Sequence, residues 1–133
     1  MALIQYDLHL GDTPNYDFGT ARYCGLGVDL PILITNRPTS DDLWLTIRTS
    51  AIETLADWQK HTVLLNGSLI GILSDKNGLP NEEHRFTVPS GLVVRDENTL
   101  SIRVGAAIPG LIDDFVLREI ELQGADLTSG WTP

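Results

Sequence analysis

Residues His61–Ser74 read HTVLLNGSLIGILS, two apolar runs joined by Asn66-Gly67. A two-residue type I′ turn requires φ > 0 at both central positions, and Asn followed by Gly meets that requirement at little steric cost. The turn predicts a register in which Leu65 faces Ser68, Leu64 faces Leu69, Val63 faces Ile70 and His61 faces Ile72. Leu64–Leu69 then points to one face and Val63–Ile70 to the other, so both faces carry apolar pairs. Such a hairpin is not stable alone in water and has to be covered. It reads as the central hairpin of a β-sandwich.

On the N-terminal side, Leu3–Leu10 alternates over eight residues, with Ile4, Tyr6, Leu8 and Leu10 on the predicted inward phase. Gly11–Gly19 (GDTPNYDFG) is a loop by composition. Ala21–Asn36 holds Val28, Leu30, Ile32 and Ile34 on one phase, and Pro31 within it predicts an edge strand or a bulge. Leu43–Thr49 sets Leu43, Leu45 and Ile47 against Trp44, Thr46 and Arg48. Ala51–Lys60 has slight helical character, too short to be the core of a helical protein.

On the C-terminal side, Asp75–Glu82 is a polar loop, and His84–Val88 is a short strand with Phe86 and Val88 inward. Ser90–Glu97 connects to the strand Thr99–Gly105, in which Leu100, Ile102 and Val104 alternate with polar residues. Asp113–Gln123 changes phase: Phe115 and Leu117 are apolar on odd positions, Ile120 and Leu122 on even ones. A one-residue slip would turn half the strand inside out, so a bulge is expected near Arg118–Glu119. The expected architecture is all-β, a two-sheet antiparallel sandwich of about eight strands. It occupies residues 1–123 as one domain, and residues 124–133 form a tail that frays or packs peripherally.

The segments VLLNGSLIGIL, HRFTVPSGLV, ENTLSIRV and DDFVLREIEL resemble the galactose-binding-like jelly-roll domains. These include carbohydrate-binding modules and the sugar-binding domains attached to glycoside hydrolases. The resemblance spans about residues 58–123 and rests on scaffold positions, so it speaks to fold before function. It implies a jelly roll with ligands held in loops at one end, and it makes a structural calcium frequent.

Composition narrows the function. Eighteen acidic residues against nine basic ones give a net charge of −9 with no basic cluster, which argues against nucleic acid and anionic membranes as partners. The start MALIQYDLHLGD has no basic n-region or uninterrupted apolar core, and no apolar run approaches a membrane span. The chain reads as cytoplasmic, with export by a route needing no cleaved signal left open. Cys24 is the one cysteine, so no intrachain disulfide forms, and it reads as a small buried apolar residue.

Aromatic and polar side chains supply the candidate glycan-binding residues. Trp44, on the polar phase of its strand, and Trp58 could stack on sugar rings, the alternative for each being packing. Asn15, Tyr16, Asp17 and Phe18 form a polar–aromatic patch that is a binding loop or a loop pinned by its aromatics. Asp113 and Asp114 could give oxygens to calcium, although no EF-hand spacing is present, and solvated turn residues are the plainer reading. His9, His61 and His84 show no ligand spacing, and GxSxG, P-loop and GxGxxG motifs are absent. No catalytic residue is assigned. The expected function is a non-enzymatic, lectin-like module for a neutral glycan. The alternative is a structural or assembly module, a homo-oligomer or a subunit of a larger complex, suggested by the two apolar hairpin faces and Trp44.

Overall fold

The Asn66-Gly67 turn forms as the sequence requires, with φ of 50° and 86° at its two central residues. It joins His61–Leu65 (β5) to Ser68–Leu73 (β6) in a computed structural model that describes residues 2–15, 17–34, 43–52, 60–74, 82–93, 96–105, 114–123 and 127–129. Asn66 does more than turn the chain. Its side-chain amide donates to Leu92 O (2.9 Å) and Asn98 Oδ1 (2.8 Å), and its Oδ1 accepts from Thr99 N (2.8 Å). The turn is thereby tied to the strand that neighbours β5.

The hairpin register holds for Leu65↔Ser68 and Leu64↔Leu69 and then slips, so that Val63 lies opposite Gly71, Thr62 opposite Ile72 and His61 opposite Leu73. The expected Val63–Ile70 and His61–Ile72 pairs are not made, because Ile70 is bulged out of the ladder. The bulge sends Leu73 into the core, fully buried, and leaves Leu69 and Ile72 on the outer face at 62% and 45% exposure. Gly71 fits here because any Cβ would overlap the Phe86 ring.

The other described strands are Ala2–Leu10 (β1), Arg22–Gly25 (β2), Gly27–Ile34 (β3) and Leu43–Ser50 (β4) before the hairpin. After it come Glu82–Val88 (β7), Asp96–Arg103 (β8), Phe115–Gln123 (β9) and Leu127–Ser129 (β10), with a 3₁₀ turn at Ser90–Leu92. They form two five-stranded sheets, ordered β2-β1-β9-β4-β7 and β10-β3-β8-β5-β6. This is the two-sheet β-sandwich expected. Apolar residues from both inner faces fill its core, among them Leu10, Leu30, Ile47, Leu100, Phe115 and Ile120.

Several details differ from expectation. The hairpin is not central, since β6 is the outermost described strand of its sheet. The run Ala21–Asn36 is two strands, parted at Gly25 (φ 78°), where the chain leaves the first sheet for the second. β2 runs parallel to β1, whereas every other described pairing is antiparallel. Pro31 causes no bulge: β3 pairs with β8 without a break, and the described β10 pairing begins one residue later, at Ile32. A proline, which has no N–H to donate, thus sits at a one-sided position. Residues 127–129, placed in the tail by the sequence, form that edge strand and pair with β3.

The bulge expected in β9 is present. Arg48 pairs with Glu119 and Thr49 with Leu117, so Arg118 is the extra residue relative to β4. Arg118 points outward and donates to Asp7 Oδ1 (2.8 Å) and Ser50 Oγ (3.2 Å), while Leu117 and Ile120 are both fully buried. Cys24 is half-buried, and that burial pushes its thiol pKa up against the weaker lowering influence of Arg22. The thiol is therefore held in its protonated, unreactive form at neutral pH.

On the outer face of the second sheet, Asp29 accepts from Ser101 Oγ and Arg103 Nη2, each at 2.6 Å. The Ser101 hydrogen bond first, and the Arg103 one second, hold the Asp29 pKa below its ordinary value. A depressed carboxyl stabilises the fold above its unfolded pKa, near 4, and loses that contribution as pH falls through the lower native value. Asp29→Asn is therefore expected to flatten the acid limb of stability against pH. The effect should stay below about 1 kcal/mol, because the pair is exposed and screened by salt. Urea titrations between neutral pH and pH about 3 check it.

Candidate functional site

At one end of the sandwich β1, β4, β6 and β8 finish while β3, β5, β7 and β9 begin. The connections from these ends carry seven of the eight candidate positions. Of these, Tyr16, Trp58 and Asp113 lie outside the described residues. Asn15, Asp17, Phe18 and Asp114 are described there. The eighth, Trp44, opens β4 at the opposite end.

The loop Gly11–Gly19 is organised by a residue the sequence did not single out. His9, on the outward phase of β1, is only 2% exposed. Its Nε2 lies 2.6 Å from Asp114 Oδ2, and its ring meets the edges of Phe18 and Tyr23 at centroid distances of 4.7 and 4.9 Å. Asp114 Oδ2 also accepts from Thr13 N (3.1 Å), and Tyr23 OH donates to Gly11 O (2.7 Å). Gly11 is required, as a Cβ would fall on the Asp114 carboxylate. Phe18 and Asp114 therefore converge on His9, and the Phe18 ring pins the loop from within. Asn15 and Asp17 are exposed, and Asp17 Oδ1 accepts from Gly19 N in a local turn.

This placement bears on calcium. Asp114 Oδ2 is taken up by two N–H-bearing groups, His9 Nε2 and Thr13 N, whereas a hard cation takes oxygen ligands. Among the described residues no group of three or more His, Cys, Asp or Glu could hold a metal.

Inside the sandwich at the same end lies a second polar cluster. Thr49 Oγ1 donates to Glu82 Oε1 (2.9 Å) and lies 2.9 Å from His84 Nε2, and Glu82 also accepts from Ile52 N. The single hydroxyl proton goes to the carboxylate, so His84 Nε2–H donates to Thr49. Glu82 thus caps the backbone just after Ala51, whose φ of 72° is unusual for a residue with a side chain. His61 is fully buried, lies 4.3 Å from the Phe115 ring and accepts from Gly105 N at Nδ1 (3.0 Å). All three histidines of the chain thus stand in the floor of one end, each at 2% exposure or less. The Thr49 hydroxyl is fully buried and already bonded to Glu82, an arrangement that braces backbone and offers no nucleophile to a substrate.

The outer face of the first sheet is different in kind. Trp44 is 44% exposed there. It stands in a row with Thr87 on β7 and Gln123 on β9, and the Arg85 guanidinium lies 5.1 Å from its ring centroid. Arg85 Nη2 also donates to Gln123 Oε1 (3.2 Å). Further along, Arg48 pairs with Glu121 (2.8 Å), Glu119 (2.9 Å) and Glu83 (3.4 Å). The result is a largely polar sheet face with one large aromatic ring held at its end.

Comparison with known proteins bears on the scaffold. No family model and no curated protein matches the chain. Among solved structures it is similar to a family 35 carbohydrate-binding module from an environmental isolate, with a TM-score of 0.58 and 17% identity over the full length of both chains. The fold is a jelly-roll β-sandwich like that of the module. That agrees with the resemblance carried by the Asn66-Gly67 hairpin and the strands after it, and extends it to the N-terminal half. At this identity the likeness concerns the jelly roll alone.

Proposed function

We propose that the protein is a non-enzymatic carbohydrate-binding module that takes a neutral glycan. The observation that carries this reading is Trp44, an indole left nearly half exposed on the outer sheet face and steadied by Arg85. The C–H faces of a sugar ring suit such a surface, and Gln123, Thr87 and Arg85 stand around it to bond hydroxyls. Across β7, β4 and β9 the row Thr87–Trp44–Gln123 spans about 10 Å. The fold supports the reading because a solved structure similar to it is a carbohydrate-binding module.

The test is a broad glycan array, probed with and without calcium, followed by titration of any hit. Trp44→Ala is expected to weaken binding about 30-fold, the cost of losing a central aromatic contact, while the melting transition barely moves. Asn15→Ala and Asp17→Ala should leave affinity unchanged. If they abolish it and Trp44→Ala does not, the loop-bearing end is the glycan site. An array blank in both conditions overturns the carbohydrate reading.

A further inference from the structure

Four strands terminate the two described sheets, and three of them carry the usual protections against edge pairing. β2 has four residues including Arg22, β10 has three, and β7 bears Glu82, Glu83 and Arg85. β6 is SLIGIL, six residues with no charge and no proline. A bulge often protects an edge, but the one at Ile70 turns Leu69 and Ile72 to the same outer face, beside half-buried Leu64. The nearest described charges in register with this strip, Asp29 and Arg103, neutralise each other at 2.6 Å.

We infer that β6 pairs antiparallel with β6 of a second copy of this chain, forming a two-fold dimer. One observation selects that occupant: the strand is self-complementary in facing. Leu69 and Ile72 face outward, while Ile70 packs on the core, Gly71 faces Phe86 and Leu73 is buried. Setting Leu69 against Ile72 of the second copy aligns Ile70 with Gly71 and Ser68 with Leu73, so every pair shares a face and the reciprocal pairs follow by symmetry. Leu69 and Ile72 from both copies then form one apolar patch. The two-fold axis stands perpendicular to the joined sheet, which places both first sheets on the same side of it. Both Trp44 faces then look the same way, and a surface bearing many ligands meets two of them at once.

Light scattering on the full chain over a micromolar-to-millimolar series should give twice the 14.6 kDa chain mass. Leu69→Lys and Ile72→Lys should each return the mass to that of one chain with the melting transition retained, since both side chains are exposed in the single chain. Leu3→Lys, which alters an exposed leucine on the other sheet, should leave the dimer intact. A wild-type chain monomeric throughout the series overturns the proposal. So does a dimer that survives both β6 substitutions or is lost in Leu3→Lys.

Discussion

Asp114→Ala is expected to lower the unfolding free energy by about 3 kcal/mol, the cost of removing one partner from a buried polar pair. The carboxylate is the shared acceptor for His9 Nε2 and Thr13 N, and the His9 and Asp114 side chains are 2% and 4% exposed. Deleting it leaves the buried His9 ring without the acceptor that satisfies it, at about 1–3 kcal/mol, and the part-buried Thr13 N–H loses its acceptor at a smaller cost. Asp114→Asn should cost less, since one amide oxygen can still accept. The two positions act as a unit. His9→Leu with Asp114→Leu should therefore be less damaging than the sum of the single changes, by 1 kcal/mol or more on a double-mutant cycle. Guanidinium unfolding measures the stabilities, and limited proteolysis reports whether Gly11–Gly19 loosens. Additive effects would mean that His9 and Asp114 are held independently.

Gly71→Ala should cost about 2 kcal/mol, although it adds one methyl group. The added carbon would meet the Phe86 ring, which comes from the edge strand of the opposite sheet, so either the ring or the hairpin must shift. Cutting the ring back should relieve the clash. Gly71→Ala combined with Phe86→Ala is expected to be more stable than the two separate losses predict, by about 1 kcal/mol or more. Equal losses with and without the ring would show that the cost comes from the β6 backbone. The result also bears on why the bulge falls at Ile70, because the slip is what brings Gly71 opposite Val63 beneath that ring.

Legibility in the sequence followed the number of independent signals at each position. The β9 bulge could be read because the apolar phase changes from Leu117 to Ile120, and only an extra residue keeps both inside. The Ile70 bulge could not. Leu69–Leu73 is apolar throughout, apart from Gly71, and gives no phase to break. Gly25 and Gly27 look alike in sequence, yet only the first carries the positive φ that moves the chain between sheets. The outward placement of Trp44 was legible from the polar phase around it. His9 was not, because its partner lies 105 residues away and its cover comes from a loop folding back over its own strand. Alternation identifies the side of a strand on which a residue stands, and it is silent about what later covers that side.

Ala2 pairs with Leu122, and β1 and β4 are joined only through β9, which lies between them. The β5–β6 hairpin can close within about 1–10 μs of its own synthesis. The first sheet has no such option, for its middle strand is made only after both of the strands it joins. A nascent chain stopped short of residue 115 would hold two amphipathic strands with the space between them empty. Non-local pairing of this kind is slow and leaves apolar surface open while it waits. The interval before β9 emerges is when this chain is most exposed to mispairing, and conditions that slow synthesis between β4 and β9 should lower its soluble yield more than mild destabilisation of the finished fold.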